Sequence, residues 1–308
     1  MALILKANIN GTDYPLTLNA STGKYEAVLT APNASSYKQN TGHYFPVTVT
    51  ATDEAGNSTS VNDTHSTLGG SLKLFVKERI APTISSVSPS SGANMTTSNP
   101  VISFKLLDNN NGMSEGYSGI DLSSLKLTVK GQLIDASAIR TTEISGGYQC
   151  EYTPTEALDD GSCTYTIAVA DFDGNNANTV TTTFKIDTQP PTLNITSPEE
   201  GIYTNSETIT VSGNTSDQTS SPVTITIKVG SVDQGTVKVN TDGTFSHTVQ
   251  LENGLNTITV VATDTAGKKS TVTKTITLKT NAPVIKSVVI SPNEVDAGKS
   301  YTIAVEVE

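Results

Sequence analysis

The sequence predicts an all-β chain of tandem antiparallel β-sandwiches laid end to end as an extended rod. Three observations carry this. The composition is 35% hydrophobic and 16% charged, with Thr, Ser, Asn and Val prominent. Such a β-branched mixture, poor in Lys, Glu and Ala, suits short strands joined by polar turns and disfavours helices. One closing hairpin recurs three times, and 308 residues is the length of two to four modules of about 100 residues each.

The recurring hairpin reads VTVTATDEAGNS at 47–58, YTIAVADFDGNN at 165–176 and ITVVATDTAGKK at 258–269. Apolar residues alternate in each copy (Val47, Val49, Ala51; Ile167, Val169; Ile258, Val260, Ala262), the pattern of a strand with one buried face. Each strand ends in Asp-x-x-Gly, a tight turn in which Asp accepts bonds from amides ahead of it and Gly accepts positive φ. A second strand and a proline junction follow, at 72–76 before Pro82, 180–186 before Pro190-Pro191 and 272–278 before Pro283. The turn Asp lies nineteen residues before the proline in the last two copies and twenty-nine in the first, where the polar stretch VNDTHSTLGG at 61–70 supplies the surplus. PTISSVSP at 82–89 and PTLNITSP at 191–198 open the next modules. The expected organisation is therefore sandwiches over 1–80, 81–188 and 189–281, each burying a core, with 282–308 as a C-terminal hairpin or partial module. Junctions this short predict small contacts between modules.

Charge and hydropathy narrow the function. The net charge is −11 and the pI about 4.7, so there is no basic stripe to neutralise phosphates and no nucleic-acid partner is expected. No apolar run approaches the roughly 18 residues of a membrane span, so no membrane insertion is expected. Met1–Asn10 has no basic flank and reads as a first strand, not a signal peptide. Trp is absent, which weighs against an aromatic sugar-stacking groove. No Walker, dinucleotide, G-x-S-x-G or H-E-x-x-H motif is present, so no enzyme and no cofactor are expected.

The hairpin ATDxAGN with its proline junction resembles bacterial immunoglobulin-like repeats. The stretches NGTDYPLT, YEAVLTAPNASSY, YFPVTVTATDEAGNST, NDTHSTLGGSLKLFVKE and SPNEVDAGKSYTIAVEVE resemble immunoglobulin-like proteins of prophages in Gram-positive bacteria. That resemblance implies a structural protein of a bacteriophage virion (tail, baseplate or fibre), assembled in the host cytoplasm and released by lysis. Its partners would be other virion proteins within a larger homo- or hetero-oligomeric assembly, with a bacterial surface glycan or protein as a further contact. The alternative is an extracellular or cell-surface adhesin of the same modules. A third class is an accessory domain of a surface glycoside hydrolase, disfavoured by the lack of a catalytic module.

Candidate sites are few. Asp171-Phe-Asp173-Gly-Asn-Asn offers alternating oxygen ligands around a Gly, the chemistry of a structural calcium loop, with Asp171 and Asp173 as ligands; the competing reading is a plain Asp turn. The polar loop 108–121 places Asp108, Glu115 and Asp121 where they converge only if it folds back. Tyr37 and Tyr117 stand near loops, open to partner contact or to structural use. Tyr44 and Tyr165 enter the strand before the Asp turn, the position of a tyrosine corner. Cys150 and Cys163 read as buried thiols, since neither has a neighbouring His. In the C-terminal run Tyr301, Ile303, Val305 and Val307 share one face that asks for a covering surface; 282–308 is expected to be an attachment element docked on a partner, with docking on the preceding module or membership of a partial fourth module as the alternatives.

Overall fold

The computed structural model describes residues 3–109 and 116–308, whose regular structure is β-strand apart from two single-turn 3-10 helices. The chain falls into two compact units, Met1–Ile186 and Asp187–Glu308.

The clearest module begins at Thr83. Strands Arg140–Ile144, Gly147–Tyr152, Ile102–Leu107 and Thr83–Ser88 form one sheet, in that order. Strands Gln132–Leu133, Ile120–Val129, Gly161–Asp171, Val180–Ile186 and Asn94–Met95 form the other. This is the ABED/CFG arrangement of an immunoglobulin-like sandwich. The first strand divides between both sheets, because Asn94–Met95 crosses over to pair parallel with Val180–Ile186. The alternation foreseen in the sequence points inward: Ile102, Phe104 and Leu106 from one sheet meet Tyr165 and Ile167 from the other, all 0% exposed.

The unit Asp187–Glu308 repeats the plan with fewer strands. Thr192–Ser197, Thr208–Ser216 and Thr244–Gln250 form a three-stranded sheet. Ile202–Thr204, Lys269–Leu278, Gly254–Thr263, Thr224–Val229 and Val232–Val237 form the facing five. Val211, Ile227, Ile258, Val260 and Ile276 are wholly buried between them.

The first module departs from expectation. It is one six-stranded sheet, ordered Lys24–Glu26, Thr12–Asn19, Ile4–Ile9, Phe45–Thr52, Ser58–Val61, with Lys73–Leu74 also paired to Phe45–Thr52. Cross-strand pairs Leu5–Ala51, Ala7–Val49 and Ile9–Val47 gather one apolar face, but among the described residues no second sheet covers it. Among the described residues only Ala7, Phe45 and Leu72 are buried apolar residues here. The expected self-contained core is thus corrected. Residues 27–44 (AVLTAPNASSYKQNTGHY) have broken alternation and turn-forming Pro, Asn and Gly, so they make no strand to close the sandwich.

The first two modules are also more closely joined than a proline step implies. Ser35 N–H donates to Gly116 O at 2.7 Å, Glu78 N–H donates to Asp173 Oδ2 at 3.0 Å, and Tyr37 stacks on Phe172 at 4.3 Å. At the other end, Ile285–Ser291 and Thr302–Val307 pair as an antiparallel hairpin. Every residue from 279 to 308 is exposed, so nothing within its own unit covers it. Among the described residues no helix is long and apolar enough to cross a membrane.

Candidate metal centre

The strongest chemical feature is a pair of carboxylate triads at matching places in the two immunoglobulin-like modules. In the first unit Glu78, Asp108 and Asp171 each bring a carboxylate oxygen within 4.8 Å of the others. Asp187, Asp217 and Asp264 do the same in the second unit. The positions correspond one for one. Glu78 and Asp187 precede the junction prolines Pro82 and Pro191 by four residues. Asp108 and Asp217 follow directly on the strands Ile102–Leu107 and Thr208–Ser216. Asp171 and Asp264 are the Asp of the closing turn.

The local structure fixes each carboxylate without neutralising it. Asp108 is 4% exposed; its Oδ2 accepts Gly119 N–H at 2.6 Å, while its Oδ1 has no partner. Glu78 Oε1 accepts Ser118 N–H. Asp171 is bound on both oxygens by Asn175, from the backbone N–H at 2.8 Å and from Nδ2 at 2.7 Å. Burial raises the Asp108 and Glu78 carboxyls above the usual range, and the neighbouring acidic groups push the same way. Lys38 pulls Asp108 in the opposite direction, but the ion pairs among the described residues all lie elsewhere.

The second triad is buried to the same degree. Asp187 is 1% and Asp264 6% exposed, and each leaves its Oδ2 without a hydrogen-bond partner. The sequence explains the vacancy at Asp264. Asp53 and Asp171 have Asn57 and Asn175 four residues on, whose amides donate to the second oxygen at 2.9 and 2.7 Å. Lys268 stands there in the third copy, and only its backbone N–H reaches Asp264, at 2.9 Å. Asp217 Oδ1 accepts Thr219 and Ser220 N–H at 2.8 and 2.6 Å.

Other residues singled out in the sequence fall differently. Asp173 is not in the triad; its Oδ2 accepts Glu78 N–H, so it holds the junction segment in place. Asp121 turns back to Ser123, and Glu115 lies outside the described residues. Tyr37 is half-buried and stacked between His43 at 4.0 Å and Phe172 at 4.3 Å, the structural use of the two open to it. Tyr117 is buried at 6% exposure, which corrects its reading as a partner contact. Tyr44 and Tyr165 are structural without forming a tyrosine corner: Tyr44 donates to Asp63 Oδ2 and Tyr165 to the distant Pro89 O, both at 2.8 Å. Cys150 and Cys163 are free and buried, and burial alone lifts the Cys150 thiol to about 11, far from a nucleophile's range. Tyr301, Ile303 and Val305 are exposed, at 54, 54 and 51%. An open cleft of about 580 Å³ in the last module has Asp242 as its one titratable residue, and Thr244 takes up that carboxylate.

The chain is similar in part to several known proteins. Residues 191–280 match the family described as Glucodextranase, domain B. Bacillopeptidase F of Bacillus subtilis (strain 168) is 34% identical over 155 residues, 50% of this chain and 9% of that protein. The chain therefore spans a small fraction of that relative's length. Among solved structures, the fibronectin(III)-like modules of Clostridium thermocellum CbhA are 15% identical with a TM-score of 0.38, covering 64% of this chain and 94% of theirs. Immunoglobulin domains 1–5 of Sidekick-1 are 13% identical with a TM-score of 0.41, covering 100% of this chain and 60% of that one. The chain's own sheet topology defines the class: an all-β array with two immunoglobulin-like β-sandwiches in series.

Proposed function

We propose that this chain is a non-enzymatic structural and display segment whose modules act as spacers between an attachment point and a contact surface. The observation that carries the reading is the same sandwich topology built in series, each copy spending its inward side chains on a dry core. The buried, unreactive thiols and the Asp242 cleft support the absence of catalysis. The acidic surface supports a partner other than nucleic acid.

Two settings fit. The motif resemblance supports a virion component. A secreted or cell-surface bacterial protein, with these modules beside other domains, is favoured by a specific observation: both sequence matches are to proteins named as enzymes, of which this chain resembles one domain or a small part. An antiserum against residues 1–308, applied to density-gradient particles, cell wall and culture medium of the producing strain, separates them. Signal confined to phage particles supports the virion setting, signal in wall or medium supports the other, and turnover of glycan or peptide by the purified chain would overturn the non-enzymatic reading.

Residues 282–308 are the attachment element of this proposal. Their two strands pair as Thr83–Ser88 pairs with Ile102–Leu107 and as Thr192–Ser197 pairs with Thr208–Ser216. Those two pairs each cover a facing sheet. The partner that fits Ile303, Val305, Val288 and Ile290 is therefore a sheet with an apolar, β-branched face.

A further inference from the structure

We propose that each carboxylate triad, Glu78–Asp108–Asp171 and Asp187–Asp217–Asp264, binds one calcium ion, and that the two ions pin each junction segment to the module that follows it. Four observations carry this beyond a mere cluster of acids. The triads occupy the same three positions in two successive modules. Each contains at least one carboxylate more than nine-tenths buried with an oxygen that meets no donor: Asp108 in the first, Asp187 and Asp264 in the second. None of the six forms an ion pair among the described residues. Ser220 also keeps a buried Oγ without a partner, and its carbonyl accepts Thr265 N–H beside Asp264.

Buried carboxylates that stay ionised need paired charge or a metal, because desolvation of an isolated ion is far more costly than any hydrogen bond made here returns. Three carboxylates supply three to six oxygens, and calcium takes six to eight with tolerant geometry, completed by carbonyls or water. Magnesium demands a smaller, near-octahedral shell and keeps its own waters, which suits poorly a site assembled from three separate segments. In each triad one acid belongs to the segment before the junction proline and the other two to the module after it. A bound ion therefore couples the junction to that module's B-type strand and closing turn at once.

Calorimetric titration of the intact chain with calcium chloride, after chelator treatment, reads this directly. Two ions per chain are expected, with magnesium binding at least tenfold weaker. Asp108→Asn and Asp264→Asn should each remove one ion, and the double variant both. Asn preserves shape and relieves repulsion, so the variants should melt in chelator no lower than the parent, which separates lost binding from lost folding. In the parent, calcium should raise the melting temperature by several degrees, as any ligand of the native state does, and the double variant should show no rise. No heat of binding to a folded parent, equal affinity for magnesium, or two ions still bound by the double variant would each overturn the proposal. Absence of binding would leave the spacer reading intact, since that rests on topology.

Discussion

Tyr165 shows how one side chain ties a module together. It enters the core from the closing strand, wholly buried, and donates its hydroxyl to Pro89 O at 2.8 Å, near the crossover of the first strand between sheets. Tyr165→Phe leaves that carbonyl without its donor and should cost about 1–2 kcal/mol, measurable by chemical denaturation. The closing turns allow a second test. Lys268 stands where Asn57 and Asn175 donate to the second oxygen of the turn Asp. Lys268→Asn should supply that bond to Asp264 and stabilise the metal-free chain by about 1 kcal/mol; an unchanged midpoint in chelator would contradict this account of the vacant oxygen. These residues also show what the sequence disclosed. Asp171 was legible because an Asp-x-x-Gly turn is local chemistry. Asp173 reads as a second ligand because it alternates with Asp171 in the loop, and in the structure its Oδ2 accepts the Glu78 N–H. Glu78, Asp108, Asp187, Asp217 and Asp264 were missed as partners because their proximity is tertiary. One signal was readable: an acid four residues before the junction proline at both boundaries.

At the scale of the element, equivalent strands have unequal environments. Val260 and Val49 occupy the same place in the recurring hairpin, yet Val260 is 0% exposed between two sheets while Val49 is half-buried on an open one. Val260→Ala should cost about 2 kcal/mol or more, from lost transfer energy and the cavity left behind. Val49→Ala should cost less than half as much, and equal losses would mean that something covers the first sheet. Alternation announced both strands equally, since periodicity reports that a face wants burial and not whether the chain supplies the cover. The segment 27–44 decides it, and its irregular sequence carries no periodic signal. The hairpin of Ile285–Ser291 and Thr302–Val307 is the converse case: its strands were read from pattern, and its exposed apolar face sets what a partner must offer.

For the whole molecule, the array consists of two sandwiches with dry cores, an open sheet bonded to the first of them, and an uncovered hairpin. Removing residues 282–308 should leave the melting of the preceding modules unchanged while abolishing attachment, because no residue of that hairpin is buried; a lowered melting temperature would contradict it. Hydrogen exchange followed by mass spectrometry tests the architecture most directly, since local opening energies track how much of each element is packed. The slowest amides should lie in Gly161–Asp171 and Gly254–Thr263, the central closing strands of the two cores, with Phe45–Thr52 exchanging faster and Thr302–Val307 fastest of the four. Equal protection across the four strands, or slow exchange in Thr302–Val307 of the isolated chain, would contradict this account.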